Sequence, residues 1–291
     1  MTTQISKFDS KWISVGVAIF LGVAYYVTGK FGLTVLESPQ FATPVWLPSG
    51  LAFIAWWYYG WRMSWVIWLA SFVLNLKISS VLEFPALNSL FSAAGIATGS
   101  TLQVAIGVPL IRRFMNSENP YDNPRDTLIF SSLVPVICMI ASTTGTVTLL
   151  LNGMLSLQLF SIAWLNWLVG DVVGIILLSP LVLAWTTVSH VRPTKLNVKL
   201  AVACALLLIV ICLFLFGNVF TLDYLSYPLA FLVIVPITIA ARQFYAWGGA
   251  VCVAIVAIFS LNAVINQFGF FSAAAVDQSL YIAQAYIGIR S

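Results

Sequence analysis

Asp171 is the residue in this sequence whose chemistry most needs a reason. It stands within Trp164–Pro180, which reads Trp-Leu-Asn-Trp-Leu-Val-Gly-Asp-Val-Val-Gly-Ile-Ile-Leu-Leu-Ser-Pro, in the middle of a long apolar run. The other acidic residues (Asp9, Glu37, Glu83, Glu118, Asp122, Asp126, Asp223 and Asp277) fall between apolar runs or before the first. An ionisable group at membrane depth is costly, so it normally faces the protein interior and has a partner. On a helix, Trp164, Trp167, Asp171 and Gly174 share one face, being three or four residues apart. Gly170 and Gly174 form a small-xxx-small pair that lets a second helix come close. Such an acid either lines a binding pocket or relays a change of protonation, or it ties helices together by hydrogen bonding. The residue alone leaves both readings open.

Other polar groups fall inside apolar runs: Asn75, Gln103, Ser142 to Thr144, Thr146 and Asn166. Gly95, Gly99 and Gln103 lie on one helical face. Taken singly, each reads as helix–helix glue before it reads as a ligand contact, since such hydrogen bonds are common and modest in membrane interiors. The four cysteines, Cys138, Cys204, Cys212 and Cys252, all sit in apolar segments with no C-x-x-C spacing. They read as core residues, not as a disulfide framework or metal site. His190, the single histidine, stands in a basic loop. The nucleotide-binding, zinc-protease and nucleophile-elbow patterns are missing, as is a plausible Ser-His-Asp set. No catalytic residue, metal or cofactor is expected, and this chain does not read as an enzyme.

The elements that must position Asp171 follow from composition. Of the 291 residues 61% are hydrophobic and 8% charged, against about a quarter charged in soluble domains. The mean hydropathy is +1.00. Repeated apolar runs of about 17 to 30 residues, none with the alternation of a membrane barrel, predict an all-α polytopic membrane protein. Ten candidate spans can be drawn, with eight as the lower bound: about 12–34, 46–61, 63–78, 86–111, 126–151, 158–187, 198–217, 226–241, 244–266 and 275 onward. Pro85, Pro124 and Pro228 sit where helices would begin, and Pro109, Pro135, Pro180 and Pro236 fall inside runs and should kink them. The first run has Tyr25-Tyr26 where a cleavage site would want small residues, so it reads as a retained span.

Charge sets the orientation. With the N-terminus inside, Lys7, Lys11, Arg62, Arg112, Arg113, Arg125, Arg192, Lys195, Lys199, Arg242 and Arg290 lie inside, and only Lys30 and Lys77 lie outside, out of 13 cations. That asymmetry predicts a cytoplasmic N-terminus. The net charge of +4 is scattered over several loops, which gives no reason to expect a nucleic-acid partner. The partner composition does imply is the lipid bilayer.

The second run is short, about 21 Å of helix from Pro48 to Trp61 against a hydrocarbon core of about 30 Å. Pro44 and Pro48 keep the residues before them out of the helical region. The stretch Ala42–Leu47 is therefore expected to enter the membrane as extended chain, leaving a helix N-terminus at Pro48, Ser49 and Gly50 partway in. The alternative is a short hairpin of spans two and three, tilted outward and anchored at the interface by Trp46, Trp56, Trp57, Trp61, Trp65 and Trp68. A helix N-terminus favours a nearby carboxylate. Asp171 is therefore expected against that first turn, accepting from Ser49, Gly50 or their neighbours, with Trp46 and Trp167 walling a pocket open to the outside.

These residues resemble a known family, the MASE1 membrane-associated sensor domain. Val45-Trp46-Leu47-Pro48-Ser49-Gly50-Leu51 is similar to its V-W-P-P-T-G-L stretch. Gly60-Trp61-Arg62 through Trp65 to Asn75 is similar to its G-x-R…N hairpin, without the proline. Gly99 to Gln103 is similar to its G-N-T-L-E segment, with Ser100 and Gln103 for Asn and Glu. Trp164 to Pro180 resembles its W-x-x-W-x-x-G-D-x-x-G…P signature closely. The resemblance covers nearly the whole chain, 1–291, as one integral-membrane sensor domain, and it implies about eight spans. It also implies an input module of the bacterial inner membrane that precedes a cytoplasmic histidine kinase, diguanylate cyclase or cyclic-di-GMP phosphodiesterase.

No such output domain is within these residues. The last run is short for a completed span, so the chain reads as an input module cut from a longer protein. Arg290 would then sit within a transmitting final helix. Two functions remain: a signal-input domain that binds a small molecule or a membrane partner protein, and a small-solute transporter using Asp171 as its midplane substrate or proton site. The candidate binding residues are Trp46, Pro48, Ser49, Gly50, Asn75, Gln103, Trp164, Asn166, Trp167 and Asp171, with Arg290 for transmission. A homodimer is compatible with either function.

Overall fold

Backbone polar groups in hydrocarbon must be satisfied within the segment, so long apolar runs have little choice but to become helices. The computed structural model describes residues 15–35, 45–81, 85–186, 198–217 and 230–266. Its helices are α1 (Val15–Val35), α2 (Leu47–Tyr59), α3 (Ser64–Val81), α4 (Ala86–Phe114), α5 (Pro124–Leu151), α6 (Phe160–Thr186), α7 (Val198–Phe216) and α8 (Ile234–Asn266). Among the described residues no strand occurs.

The helix ends follow local chemistry. Pro48 lies in the first turn of α2, where its missing N–H costs nothing. Pro124 does the same for α5, and the Asn123 side chain caps that helix by accepting from the Asp126 amide at 2.9 Å. Gly60, at φ 62°, stops α2, and one 3-10 turn (Gly60–Met63) turns the chain into α3; a side chain there would be strained. Pro109, Pro135 and Pro180 lie inside α4, α5 and α6 as expected.

Six segments, in α1, α4, α5, α6, α7 and α8, are long and apolar enough to cross a membrane among the described residues. The expected eight to ten spans are not established by these. The 13 residues of α2 make it too short, and the 18-residue α3 is not among the six. The expected run from 275 onward, with Arg290, lies outside the described residues.

The expected runs 226–241 and 244–266 meet within α8. Tyr245 there leaves helical geometry at φ 58°, ψ −158°. A Cβ placed on Gly248 would come 2.7 Å from the Ala240 carbonyl oxygen. Eight helical residues would span about 12 Å, so the chain reverses at Tyr245 and its two legs pack together.

Helices α1, α3, α4, α5 and α6 stand in that order, each beside the next, while α2 packs on α1, α4 and α6. Its residues Pro48, Ser49, Gly50, Ala52, Phe53, Ile54, Ala55 and Trp57 are all buried. The shortest membrane helix is thus the central one. It can be short because protein, not lipid, surrounds its ends. Outward faces stay apolar, as with Phe20 and Val23 of α1. Helix α7 pairs with α8, and α8 packs on α6.

Arg112, in the last turn of α4, donates to the Trp57 carbonyl near the end of α2 at 2.6 Å. Val15 and Ile19 of α1 share a groove with Trp61 and Arg62. The start of α1 and the ends of α2 and α4 therefore lie together, on a face that also carries Arg62, Arg113 and Arg125, while Lys30 and Lys77 are near the far ends of α1 and α3. The excess of cations thus falls on the first face, the one expected from the sequence to be cytoplasmic. Residues 1–14 lie outside the described set.

Candidate functional site

The two anomalies of the sequence meet. Val45 and Trp46 are not helical, and Trp46 (φ −102°, ψ 82°) runs along α6 with its amide donating to the Gly170 carbonyl at 2.9 Å. An extended strand of chain at this depth needs such a partner. The Trp46 carbonyl then accepts from the Ser49 amide at 3.1 Å and the Ser49 hydroxyl at 2.8 Å. That hydroxyl also lies 3.0 Å from the main-chain carbonyl of Asp171 and within reach of its carboxyl.

Asp171 is 2% exposed and Ser49 6%. Among the described residues Asp171 makes no ion pair. The expected donation from first-turn amides takes a different form. The Ser49 N–H is taken by the Trp46 carbonyl, and the Ser49 hydroxyl is the group that faces the acid.

Glycines make this approach possible. A Cβ on Gly50 would collide with the Gly174 carbonyl oxygen, and one on Gly174 would collide with the Trp46 carbonyl oxygen. The α2–α6 seam is therefore backbone against backbone, as small-xxx-small pairs allow. Pro48 is buried beside Gly29 of α1, and the Trp46 ring lies 3.4 Å from where a Gly29 Cβ would be.

The other expected residues divide. Asn75 donates to the Ser71 carbonyl at 2.8 Å and the Ser71 hydroxyl at 3.3 Å, and so reaches Ser71 and not the acid. Gln103 is 1% exposed, and its Oε1 meets no donor. Gly99 and Gly107, about one turn to either side of it, press on Thr144 and Ile137 of α5, so Gln103 faces α5 between them. Trp167 packs over Gly145 of α5, where a Cβ would come 2.6 Å from its ring, and belongs to the wall formed with Ile96 and Leu149. Trp164 donates to Thr143 at 3.0 Å and joins α6 to α5 away from Ser49. Asn166 is half-buried on α6. Arg290 lies outside the described residues.

Residues absent from the sequence-based set complete the site. The Tyr25 hydroxyl, from α1, lies against the hydroxyls of Ser71 and Ser100 and the indole of Trp46, in the field of Asp171. Cys138 of α5 is fully buried and feels the same acid. Tyr25 carried a signal, a phenol inside an apolar run, but nothing in the sequence said which way it points. Ser100 stands in the G-N-T-L-E-like segment and could have been found there.

A second built feature closes the cation-rich end. Asp126, 0% exposed, accepts from the amides of Asn116 (3.1 Å) and Ser117 (2.7 Å) and from the Asn123 side chain (3.0 Å). This holds the loop 115–123 in shape. From it Asn119 donates to the Leu183 carbonyl near the end of α6 at 2.5 Å. Arg112 meanwhile lies 4.4 Å from the centre of the Trp57 ring. Tyr121 meets Phe130 edge-on at 5.7 Å, and burial pushes its phenol above the usual tyrosine range. The helices that meet at Ser49 and Asp171 are thus joined again at their other ends.

Among the described residues no group of His, Cys, Asp and Glu could hold a metal ion. The family model MASE1 matches residues 17–291. No curated protein and no solved structure matches the chain.

Proposed function

The chain belongs to the MASE1 family of membrane-associated sensory domains, and from that premise we propose that it is the input half of a bacterial inner-membrane signalling protein. A stimulus acts at the buried carboxyl of Asp171. It changes how α2 seats on α6, and the change leaves through loop 115–123 to a cytoplasmic output enzyme.

The observation that carries this reading is the double connection of α2 and α6. Ser49 meets Asp171 at one end, and Arg112 with Asn119 holds Trp57 and Leu183 at the other. A packed pair of helices fixed at both ends cannot shift at one without strain at the other, because protein interiors are close-packed. The uncompensated carboxyl supplies a group whose charge state can be changed.

The experiment uses the intact protein, with the product of its output enzyme, such as cyclic-di-GMP, as readout. Asp171→Asn is expected to lock output in one state while membrane insertion is retained. Output that still follows the stimulus in Asp171→Asn overturns the proposal. The coding sequence beyond Ser291 is expected to specify a kinase, cyclase or phosphodiesterase domain.

A further inference from the structure

We infer that the groove between α1 and α3 is the seat of an anionic phospholipid from the leaflet on the cation-rich side, with acyl chain in the trough and phosphate on Arg62. The inference uses none of the residues around Asp171 and stands apart from the sensory reading.

Exposed apolar side chains are ordinary where lipid surrounds a protein, but a trough among them is not. Val15, Ile19 and Val23 recur every four residues and form an exposed ridge along α1. Trp61, Trp65, Leu69 and Val73 form a second one, from the 3-10 turn along α3. Between the ridges lie Ala18, Gly22, Val66 and Ala70. This floor is low because three of its four residues are alanine or glycine. It is also closed, since a Cβ on Gly22 would lie 3.5 Å from the Val66 side chain. The trough encloses about 680 Å³.

Its length fits one leaflet. From Val15 to Tyr26 it follows about 16 Å of α1, half of a hydrocarbon core about 30 Å thick. A lipid chain starts at the headgroups and stops at the midplane, so its depth is that of the trough. A spanning helix of a second copy would need the full thickness.

Charge fits as well. Arg62 is the one charged side chain lining the groove, and it is exposed at the mouth. The turn opened by Gly60 sets it there beside Trp61. Trp61 and Trp65 are amphipathic rings of the kind that settle at headgroup depth. A guanidinium pairs with phosphate oxygens two at a time. A cation at the headgroup end with hydrocarbon below it selects an amphiphile with a negative head. Arg112 and Arg113 on the same face add to the preference for anionic lipid.

The position has a structural consequence. Gly22, Val66 and Ala70 also bound a cavity of about 10 Å³ whose far wall is Leu51, Ala52 and Ala55 of α2. A lipid in the trough rests one layer of side chains from the central helix.

The test is native mass spectrometry of the 291-residue chain in detergent, titrated with dioleoyl phosphatidylglycerol and, separately, with dioleoyl phosphatidylcholine. A first phosphatidylglycerol is expected to bind more tightly than later ones and more tightly than phosphatidylcholine. Arg62→Gln is expected to weaken that first site about fivefold, the worth of one arginine near anionic lipid, and to leave phosphatidylcholine binding as it was. Arg113→Gln removes the same charge from the same face outside the groove and is expected to leave the first site unchanged. Ala70→Leu fills the floor, keeps every charge and is expected to weaken both lipids.

Equal losses in Arg62→Gln and Arg113→Gln would reduce the preference to net charge and overturn the seat. A first site unmoved by both Arg62→Gln and Ala70→Leu also overturns it. A dimer that binds no lipid and is broken by Ala70→Leu makes a second copy the occupant. Lipid binding that begins only when residues 1–14 are removed makes that segment the occupant. Either result rejects the lipid.

Discussion

The Ser49 hydroxyl, at the head of α2, lies 3.0 Å from the main-chain carbonyl of Asp171, 122 residues away in the middle of α6. One oxygen thereby touches both the extended chain at Trp46 and the acid-bearing helix. Ser49→Ala removes that link without altering shape. Interhelical hydrogen bonds in membranes average about 0.6 kcal/mol and reach about 1.7. Unfolding in mixed micelles is expected to show a loss of about 1 kcal/mol, and no loss would place the α2–α6 seam on packing alone.

The seam itself predicts a larger effect. Gly50→Ala and Gly174→Ala each put a methyl into a backbone oxygen, which neither helix can turn aside as a flexible side chain could. Overpacking costs about 1–3 kcal/mol. Gly22→Ala is the control, since its Cβ would meet Val66 at an ordinary 3.5 Å. Equal melting temperatures for Gly50→Ala and Gly22→Ala would contradict the seam.

Loop 115–123 carries a pH dependence of known sign. Burial raises the Tyr121 phenol above its ordinary value of 10.0, so the fold favours the protonated form. The stability it contributes is complete below that value and is lost as pH rises past it. Tyr121→Phe keeps the edge-on contact with Phe130 and removes the titration. Its stability is expected to fall less than the parent's when pH is raised above 10, as read by intrinsic fluorescence. Parallel curves would mean that the phenol does not ionise with loss of structure.

Topology is open to direct measurement. Glu118 is exposed in the loop, and Cys138, Cys204, Cys212 and Cys252 are buried. A cysteine placed by Glu118→Cys is expected to escape a membrane-impermeant thiol reagent in whole cells and to react once cells are opened. Labelling in whole cells would invert the orientation.

The sequence made the acid and the broken helix legible because both violate strong rules. Asp171 is an ion where hydrocarbon forbids one, and two prolines stand where a span should begin. Their meeting followed from helix electrostatics, but its form did not. The Ser49 amide is engaged by Trp46, a local turn that no periodicity reveals. The direction in which Tyr25 and Ser71 point was not legible because apolar runs carry no amphipathic stripe, so the inward face cannot be read from spacing. For the same reason spacing did not show that Trp164 and Trp167 both turn to α5. Span count was the weakest reading. The break at Tyr245 falls beside the gap drawn between 226–241 and 244–266, but α2 is membrane-buried without the length to cross.

The most direct measurement of the account is hydrogen exchange at the amides of Asn116 and Ser117, which donate to Asp126, in lipid nanodiscs of the parent chain and of Asp171→Asn. These amides report on the loop that ties α2 to α6 at the cation-rich face, far along both helices from the acid. The account predicts that neutralising Asp171 changes their exchange rates while amides in α7 keep theirs. Identical rates in both proteins, with Asp171→Asn fully folded, would contradict the claim that the buried carboxyl is connected to loop 115–123.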